Sequence, residues 1–411
     1  MSSVILVNPN NRNPLPLAAA EPPLWLSLMA AHLLGDGKDV TILDAEAEGL
    51  SPEDTVRRIE SQNAVDIILV VMGNNPSVSS TPKMPIAEKL LEMLDRDKVW
   101  LAGLHPMAVQ HEKVWNWRPT KCLPLPWHLL PMHLYRAHNW HCLDGSLRQP
   151  YASIYTSLGC PFDCYFCNIH SLYQSRSLIY RGIPSIIQEV DMLVNKHQVR
   201  NIKIWDELFA LSPERVLPIC TQLRNYDLNM WAYARVDTIT QPMLEAIKEA
   251  GVNWLAYGFE TTSKEVRLQS KKYFTGRKVE EAIKMTRKAG INIIANFMFG
   301  LPGETEQTAL DTLQWAKDNL FEFANFYVAL PYPGSEWYED TKYNRSWEDF
   351  NQCRPLRDSD EAMFLFKEKA FREYFNNPAY LEMIKSKFGT QGVNQIKEML
   401  SYSIGGQDAV K

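Results

Sequence analysis

Cys160, Cys164 and Cys167 stand in the run Gly159-Cys-Pro-Phe-Asp-Cys-Tyr-Phe-Cys-Asn168, a C-x3-C-x2-C spacing. Three soft thiolate donors so close together suit an iron–sulfur cluster better than a fold staple. Such clusters usually take four cysteines, and no fourth lies nearby, so one iron is left open to a non-protein ligand. A zinc site competes, because His170 follows Cys167 by three residues and would complete a Cys3His set. Zinc motifs, however, usually separate two ligand pairs by a longer loop. Cys122, Cys142, Cys220 and Cys353 are scattered and read as ordinary core or surface residues. Seven cysteines with no paired pattern argue against a secreted disulfide scaffold.

The chemistry needs a frame. Residues 1–115 alternate strand and helix signals. Val4–Asn8, Val40–Asp44, Asp66–Met72 and Val99–Ala102 read as buried parallel strands, and Leu24–Leu34, Ser51–Ser61 and Pro85–Leu94 read as helices between them. The pattern predicts a Rossmann-like, doubly wound α/β domain that binds a ligand beyond the C-terminal strand ends. Those ends carry Asn8, Asp44, Gly73-Asn74 and Gly103-Leu-His105. No G-x-G-x-x-G follows the first strand, which weakens a dinucleotide reading. Residues 116–150, rich in Pro, Trp and His, read as a linker.

From Tyr151 to residue 331 the chain repeats strand then helix six times, with strands beginning near Ala152, Asn201, Asn229, Trp254, Ile291 and Ala324. That length fits a partial (β/α)6 barrel. The cysteine run lies just after its first strand, at the mouth where barrel enzymes keep their sites. Asp206 and Glu207, Arg235, Glu260, and Asn296 to Gly300 fall at or near successive strand ends along the same rim. Residues 332–411 read as a helical C-terminal region, with helices at Ala362–Phe375 and Pro378–Phe388 and a frayed tail at 405–411.

The cysteine spacing, with Phe166 before the last Cys, resembles the signature of radical S-adenosylmethionine (SAM) enzymes. The first domain, with Pro-Pro-Leu-Trp-Leu entering its first helix and Gly-Leu-His-Pro after its fourth strand, resembles the cobalamin-binding domain that precedes many of them. Tyr332-Pro-Gly-Ser resembles the turn that closes the barrel domain in cobalamin-type members. The resemblance spans roughly residues 1–390. It implies a [4Fe–4S] cluster on Cys160, Cys164 and Cys167, and SAM on the open iron. Asp206 or Glu207 would bind the SAM ammonium, Arg235 its carboxylate, and Glu260 the ribose or sulfonium side, with Phe166 and the Asn296–Leu301 stretch cradling adenine. Cobalamin would contact Asn8, Gly73, Asn74, Gly103 and His105. The loop after the first strand lacks the cobalt-ligating His of the mutase Asp-x-His-x-x-Gly motif. His105 is therefore a candidate for cobalt ligation, corrin contact or loop packing, and an empty Rossmann-like domain stays open.

The function so implied is a cobalamin-dependent radical SAM enzyme that methylates an unactivated centre of a small molecule. A radical SAM cyclisation, rearrangement or oxidation, with or without cobalamin, and a zinc-binding α/β interaction protein are the alternatives. The expected partner is an external electron donor of flavodoxin or ferredoxin type. Net charge is −5 and the isoelectric point about 6.0, with no basic stripe for nucleic acid. No run of about 18 apolar residues suggests a membrane span, and the expected location is the cytoplasm.

Overall fold

A computed structural model describes residues 3–11, 17–341, 347, 350, 352 and 361–402. Cys353 and the tail at 405–411 lie outside the described residues. The chain packs as two compact units. The first is Met1–Arg136, Pro150–Val199 and Pro331–Asn351; the second is Ala137–Gln149, Arg200–Leu330 and Gln352–Lys411. The sequence-based boundaries follow chain order, whereas packing gathers the cysteine segment and the Tyr332 turn into the first unit.

The first unit opens with β1 (Ser3–Asn8), α1 (Leu24–Gly35), β2 (Asp39–Asp44), α2 (Pro52–Glu60), β3 (Asp66–Val70), the single turn α3 (Pro76–Ser79), α4 (Met84–Met93), β4 (Val99–Ala102) and α5 (Leu104–Ala108). The four strands form one parallel sheet in the order β2-β1-β3-β4. Ile5, Val7, Leu69 and Leu101 pack with Val56 and Ile59 of α2 and with Leu90 and Leu91 of α4. Alternate residues such as Leu6 and Ile68 are buried as well, so β1 and β3 are covered on both faces, as parallel strands require. α2 begins where expected: the Asp54 N–H donates to the Ser51 hydroxyl at 3.0 Å, and Pro52 occupies the first helical position.

The unit continues with β5 (Tyr151–Ile154), β6 (Ser157–Leu158), α6 (Ile169–Tyr173), β7 (Ile179–Tyr180) and α7 (Ile183–His197). β6 and β7 pair antiparallel and close the neck of the cysteine loop. Below that neck the buried Arg181 guanidinium pairs with Glu189 of α7. The other Glu189 oxygen accepts from Leu125 N and Trp127 Nε1, each at 2.8 Å, and so ties part of the Pro-rich linker to α7. Sequence reasoning did not anticipate this ribbon.

The second unit carries β8 (Asn201–Ile204), α8 (Pro213–Leu223), β9 (Asn229–Ala234), α9 (Gln241–Glu249), β10 (Val252–Glu260), α10 (Lys264–Gln269), α11 (Gly276–Lys288), β11 (Asn292–Phe299), α12 (Glu306–Asn319) and β12 (Phe323–Val328). These five strands are parallel and lie in sequence order. Side chains alternate. Tyr257 reaches Thr286 of α11 through its hydroxyl at 2.9 Å, and the Phe259 ring packs edge-on to Trp315 of α12 at 5.6 Å. Toward the opposite edge, the N-terminal strand ends are tied by an amide ladder: Asn253 Nδ2 donates to Asn229, whose own Nδ2 donates to Asn201.

The chain then returns to the first unit with α13 (Glu336–Thr341). It finishes in the second with α14 (Glu361–Phe375) and α15 (Pro378–Ser401). α15 is interrupted just past the expected end at Phe388. Gly389, at φ 76°, breaks its axis while the helical pattern resumes after it.

Candidate active site

The cysteine loop leaves β6 at Gly159, whose φ of 91° and close approach to the Ser177 carbonyl exclude a side chain. All three cysteines are half-buried, and none forms a disulfide. A turn joins two of them, with Cys167 N donating to Cys164 O at 3.0 Å. The closing turn at Tyr332–Ser335 and α13 hold the far side of the loop. Asn168 Nδ2 donates to Pro333 O at 3.0 Å and Ser171 Oγ to Gly334 O at 2.9 Å. Tyr165 donates through its hydroxyl to Asp340 at 2.8 Å, accepts Trp337 N at its carbonyl, and stacks on the Trp337 ring.

Loops from the first sheet reach the same place. Gly73 lies so close to Ser79 that a Cβ would collide with it. Ser79 Oγ accepts from Asn75 N at 2.9 Å, and Ser80 Oγ accepts from Gly73 N at 3.1 Å. The loop after β3 is thus fastened to itself, and it sets the Ser77 hydroxyl 3.7 Å from Cys167 Sγ. α5, after β4, packs against α6, and Ala108 lies beside Gly334. Gly103 has φ 105°, and an added Cβ would sit 2.6 Å from Val71 O, so only glycine turns the chain there.

The donor set discriminates between the two metal readings. Among the described residues no three His, Cys, Asp or Glu side chains converge to hold a metal ion. A lone zinc draws its sulfurs to about 2.3 Å from one point. A cluster spreads its thiolates over several irons, so its ligands need not converge in this way. His170 is also committed elsewhere, with Nε2 2.7 Å from Phe162 O and Nδ1 3.3 Å from Ser175 O. The three thiols fit an iron–sulfur cluster, while both His170 nitrogens are turned to backbone carbonyls.

At the first sheet, Asn8 is buried, and its amide is occupied within the fold. Nδ2 donates to Asp44 at 2.7 Å, and Oδ1 accepts from Lys83 at 2.6 Å. Lys83 also pairs with Glu46 at 2.8 Å, and Tyr135 donates to Asp44 at 2.9 Å. Burial, reinforced by Glu46, pushes the Asp44 carboxyl up to about 6. His105 is buried as well. Its Nδ1 lies 3.1 Å from Thr81 Oγ1, its ring meets Trp347 edge-on at 4.5 Å, and burial holds its pKa down to about 3. Its Nε2 has no hydrogen-bond partner among the described residues. Asn8 and His105 therefore pack within their own unit, whereas Gly73, Asn74 and Gly103 shape the backbone of the sheet's mouth.

In the second unit the rim residues fall at or near the C-terminal strand ends. Asp206 is buried and Glu207 half-buried after β8. Arg235, after β9, grips Asp237 with two hydrogen bonds of 2.9 and 3.0 Å and lies over the Phe274 ring. Glu260 ends β10 at φ 61°, beside a bulge that turns it inward against Lys272 at 2.5 Å. Gly258 leaves room for that pair, since a Cβ there would strike both partners. Asn296 bridges strands, donating to Tyr257 O and accepting from Asn325. Gly300 N donates to Glu304 at 2.5 Å, and burial pushes that carboxyl up to about 7. Sequence reasoning missed Ser77, Thr81, Lys83 and Lys272; only the serine-rich turn after β3 carried any signal.

Strand–helix repeats with a three-cysteine loop after an early strand define an α/β enzyme class built around a cysteine-bound cofactor. Residues 154–316 match the model of the radical SAM superfamily. It is 25% identical to an uncharacterized methyltransferase of Pyrococcus horikoshii over 90% of this chain and 91% of that protein. It is 24% identical to the bacteriochlorophyllide d C-8(2)-methyltransferase of Chlorobaculum tepidum over 59% of this chain and 56% of that one. Its fold is similar to TsrM of Kitasatospora setae, a radical SAM methyltransferase solved with cobalamin and a [4Fe–4S] cluster. The TM-score is 0.62 and the identity 16%, over 82% of this chain and 74% of the other. It is also similar to the cobalamin-dependent SAM radical enzyme OxsB, with TM-score 0.56 and 14% identity over 93% of this chain and 56% of that one.

Proposed function

We propose that this protein is a cobalamin-dependent radical SAM methyltransferase acting on a small molecule. The observation that carries the reading is the meeting, within one packing unit, of the cysteine loop with the ligand-side loops of a Rossmann-like sheet. When bound, the cofactors supply an electron to cleave SAM into methionine and a 5′-deoxyadenosyl radical, and a methyl group carried on cobalt. The protein binds and orients them. Cys160, Cys164 and Cys167 hold the cluster. Asp206 or Glu207 takes the SAM ammonium, Arg235 its carboxylate, and Glu260 the ribose or sulfonium side, while Phe166, Asn296 and Gly300 flank adenine. Because Asp237 already fills the Arg235 fork, a SAM carboxylate has to share or displace that partner. Gly73, Asn74 and Gly103 line the corrin side. The functional segments are 1–115 for cobalamin, 151–331 for SAM chemistry and 332–411 for covering the substrate. We assign the protein to the cytoplasm, with a flavodoxin- or ferredoxin-type donor.

Turnover with methyl-labelled SAM and hydroxocobalamin tests the assignment. Labelled product with equal S-adenosylhomocysteine and 5′-deoxyadenosine supports methyl transfer. 5′-Deoxyadenosine alone, with unlabelled product, moves the assignment to rearrangement or oxidation. No hydroxocobalamin uptake at high micromolar concentration means that the first domain is empty.

A further inference from the structure

The loop after β3 carries three serines, Ser77, Ser79 and Ser80. Two of them brace the loop. Ser79 Oγ donates to Asn75 O at 2.6 Å and accepts from Asn75 N, while Ser80 Oγ accepts from Gly73 N and contacts Met72 Sδ at 3.7 Å. Gly73 sits against Ser79 with no room for a Cβ, so the loop cannot easily be repacked. The third serine reaches outward: Ser77 Oγ lies 3.7 Å from Cys167 Sγ, across 90 residues of chain. A hydroxyl is an effective donor and an iron-bound thiolate an acceptor, which fixes the direction of this bond once the cluster is in place.

We infer that Ser77 is a positioning residue of the redox site, whose hydroxyl donates to the Cys167 thiolate and raises the reduction potential of the cluster. The inference rests on the cluster assignment above. Hydrogen bonds to ligand sulfurs draw off negative charge and favour the reduced, more negative state, one of the recognised means by which a protein sets a cluster's potential. The donor comes from the Rossmann-like sheet rather than from the cysteine loop. The loop that faces the first domain's ligand thus also helps set how readily the cluster accepts an electron.

The test uses the full-length protein, reconstituted anaerobically, with iron and sulfide counted before a spectroscopic redox titration. Ser77→Ala should keep wild-type iron content and circular dichroism while its midpoint potential falls and the EPR signal of the reduced cluster shifts. Ser77→Thr, which keeps the hydroxyl, should restore the wild-type potential. An unchanged potential in a fully loaded Ser77→Ala protein overturns the role of Ser77 and leaves the cluster assignment standing. A wild-type protein that takes up no iron overturns both, and the iron count separates the two failures.

Discussion

Single side chains in this structure divide into those that the fold uses up and those that it presents. Asn8 was legible as a strand-end polar residue, but its amide is consumed by Asp44 and Lys83, which no local pattern in the sequence could reveal. Arg235 was legible too, and its pairing with Asp237 makes its assignment testable in both directions. Arg235→Ala should weaken SAM binding with iron content unchanged. Asp237→Asn, by releasing the fork, should tighten it; calorimetric affinities that move in neither variant remove Arg235 from the SAM site. Replacing Cys160, Cys164 and Cys167 together by alanine should abolish iron binding, and full cluster content in that variant sinks the assignment. Glu260 and Lys272 form a pair whose side chains are only 9% and 7% exposed. Lys272→Met should destabilise the protein by about 3–5 kcal/mol by stranding a buried carboxylate. The double replacement Glu260→Gln with Lys272→Met should recover most of that loss in urea melts.

At the scale of elements, periodicity located most strands and helices to within a few residues, because apolar runs bounded by Gly, Pro and capping residues leave little freedom. The failures share a cause. The β6–β7 ribbon is only two residues wide per strand, and α10 six residues long, so neither generates a period. Glycine turns were legible only as turns; which of them tolerate a side chain depends on distant backbone. Gly103 and Gly37 both have positive φ, but only Gly103 faces a backbone atom, Val71 O, while nothing lies within 4 Å of the Cβ position at Gly37. Gly37→Ala should cost about 1–2 kcal/mol for its backbone conformation alone. Gly103→Ala should cost clearly more, and equal costs in thermal melts would mean that the collision at Val71 relaxes freely.

For the whole molecule, each packing unit buries one histidine and one carboxyl group of opposite pH response. His105 and His141 are held down to about 3 from 6.5, chiefly by burial. Asp44 and Glu304 are pushed up to about 6 and about 7 from 3.8 and 4.5, again by burial first. A base with a lowered pKa loses its contribution as pH falls below 6.5, since the unfolded chain takes up the proton first. An acid with a raised pKa loses its contribution as pH rises through the interval between its unfolded and folded values. Between about pH 4.5 and 6 the two pairs oppose one another, and these groups leave stability nearly level. Below about pH 4 the two acids no longer oppose the histidines, whose own contribution should fall by about 2.7 kcal/mol per pH unit, two protons at 1.36 kcal/mol each. Urea midpoints across pH 3–6 check this. Asp44→Asn should tilt the level region so that stability rises with pH, and a parallel curve for the variant would reject the contribution of Asp44.

The anchoring of the cysteine loop also has a history in time. Tyr165 is fixed to Asp340, 175 residues further along the chain, and Asn168 and Ser171 wait for Pro333 and Gly334. During synthesis at about 5–20 residues per second, the loop is made about 9–35 s before the side chain that clamps it. Throughout that interval the nascent chain carries three unclamped thiols. If these thiols hold the proposed cluster, the organism must deliver iron and sulfide within that window or load a loop that is already latched, and in either case must keep oxygen away from cysteines that have nowhere yet to hide.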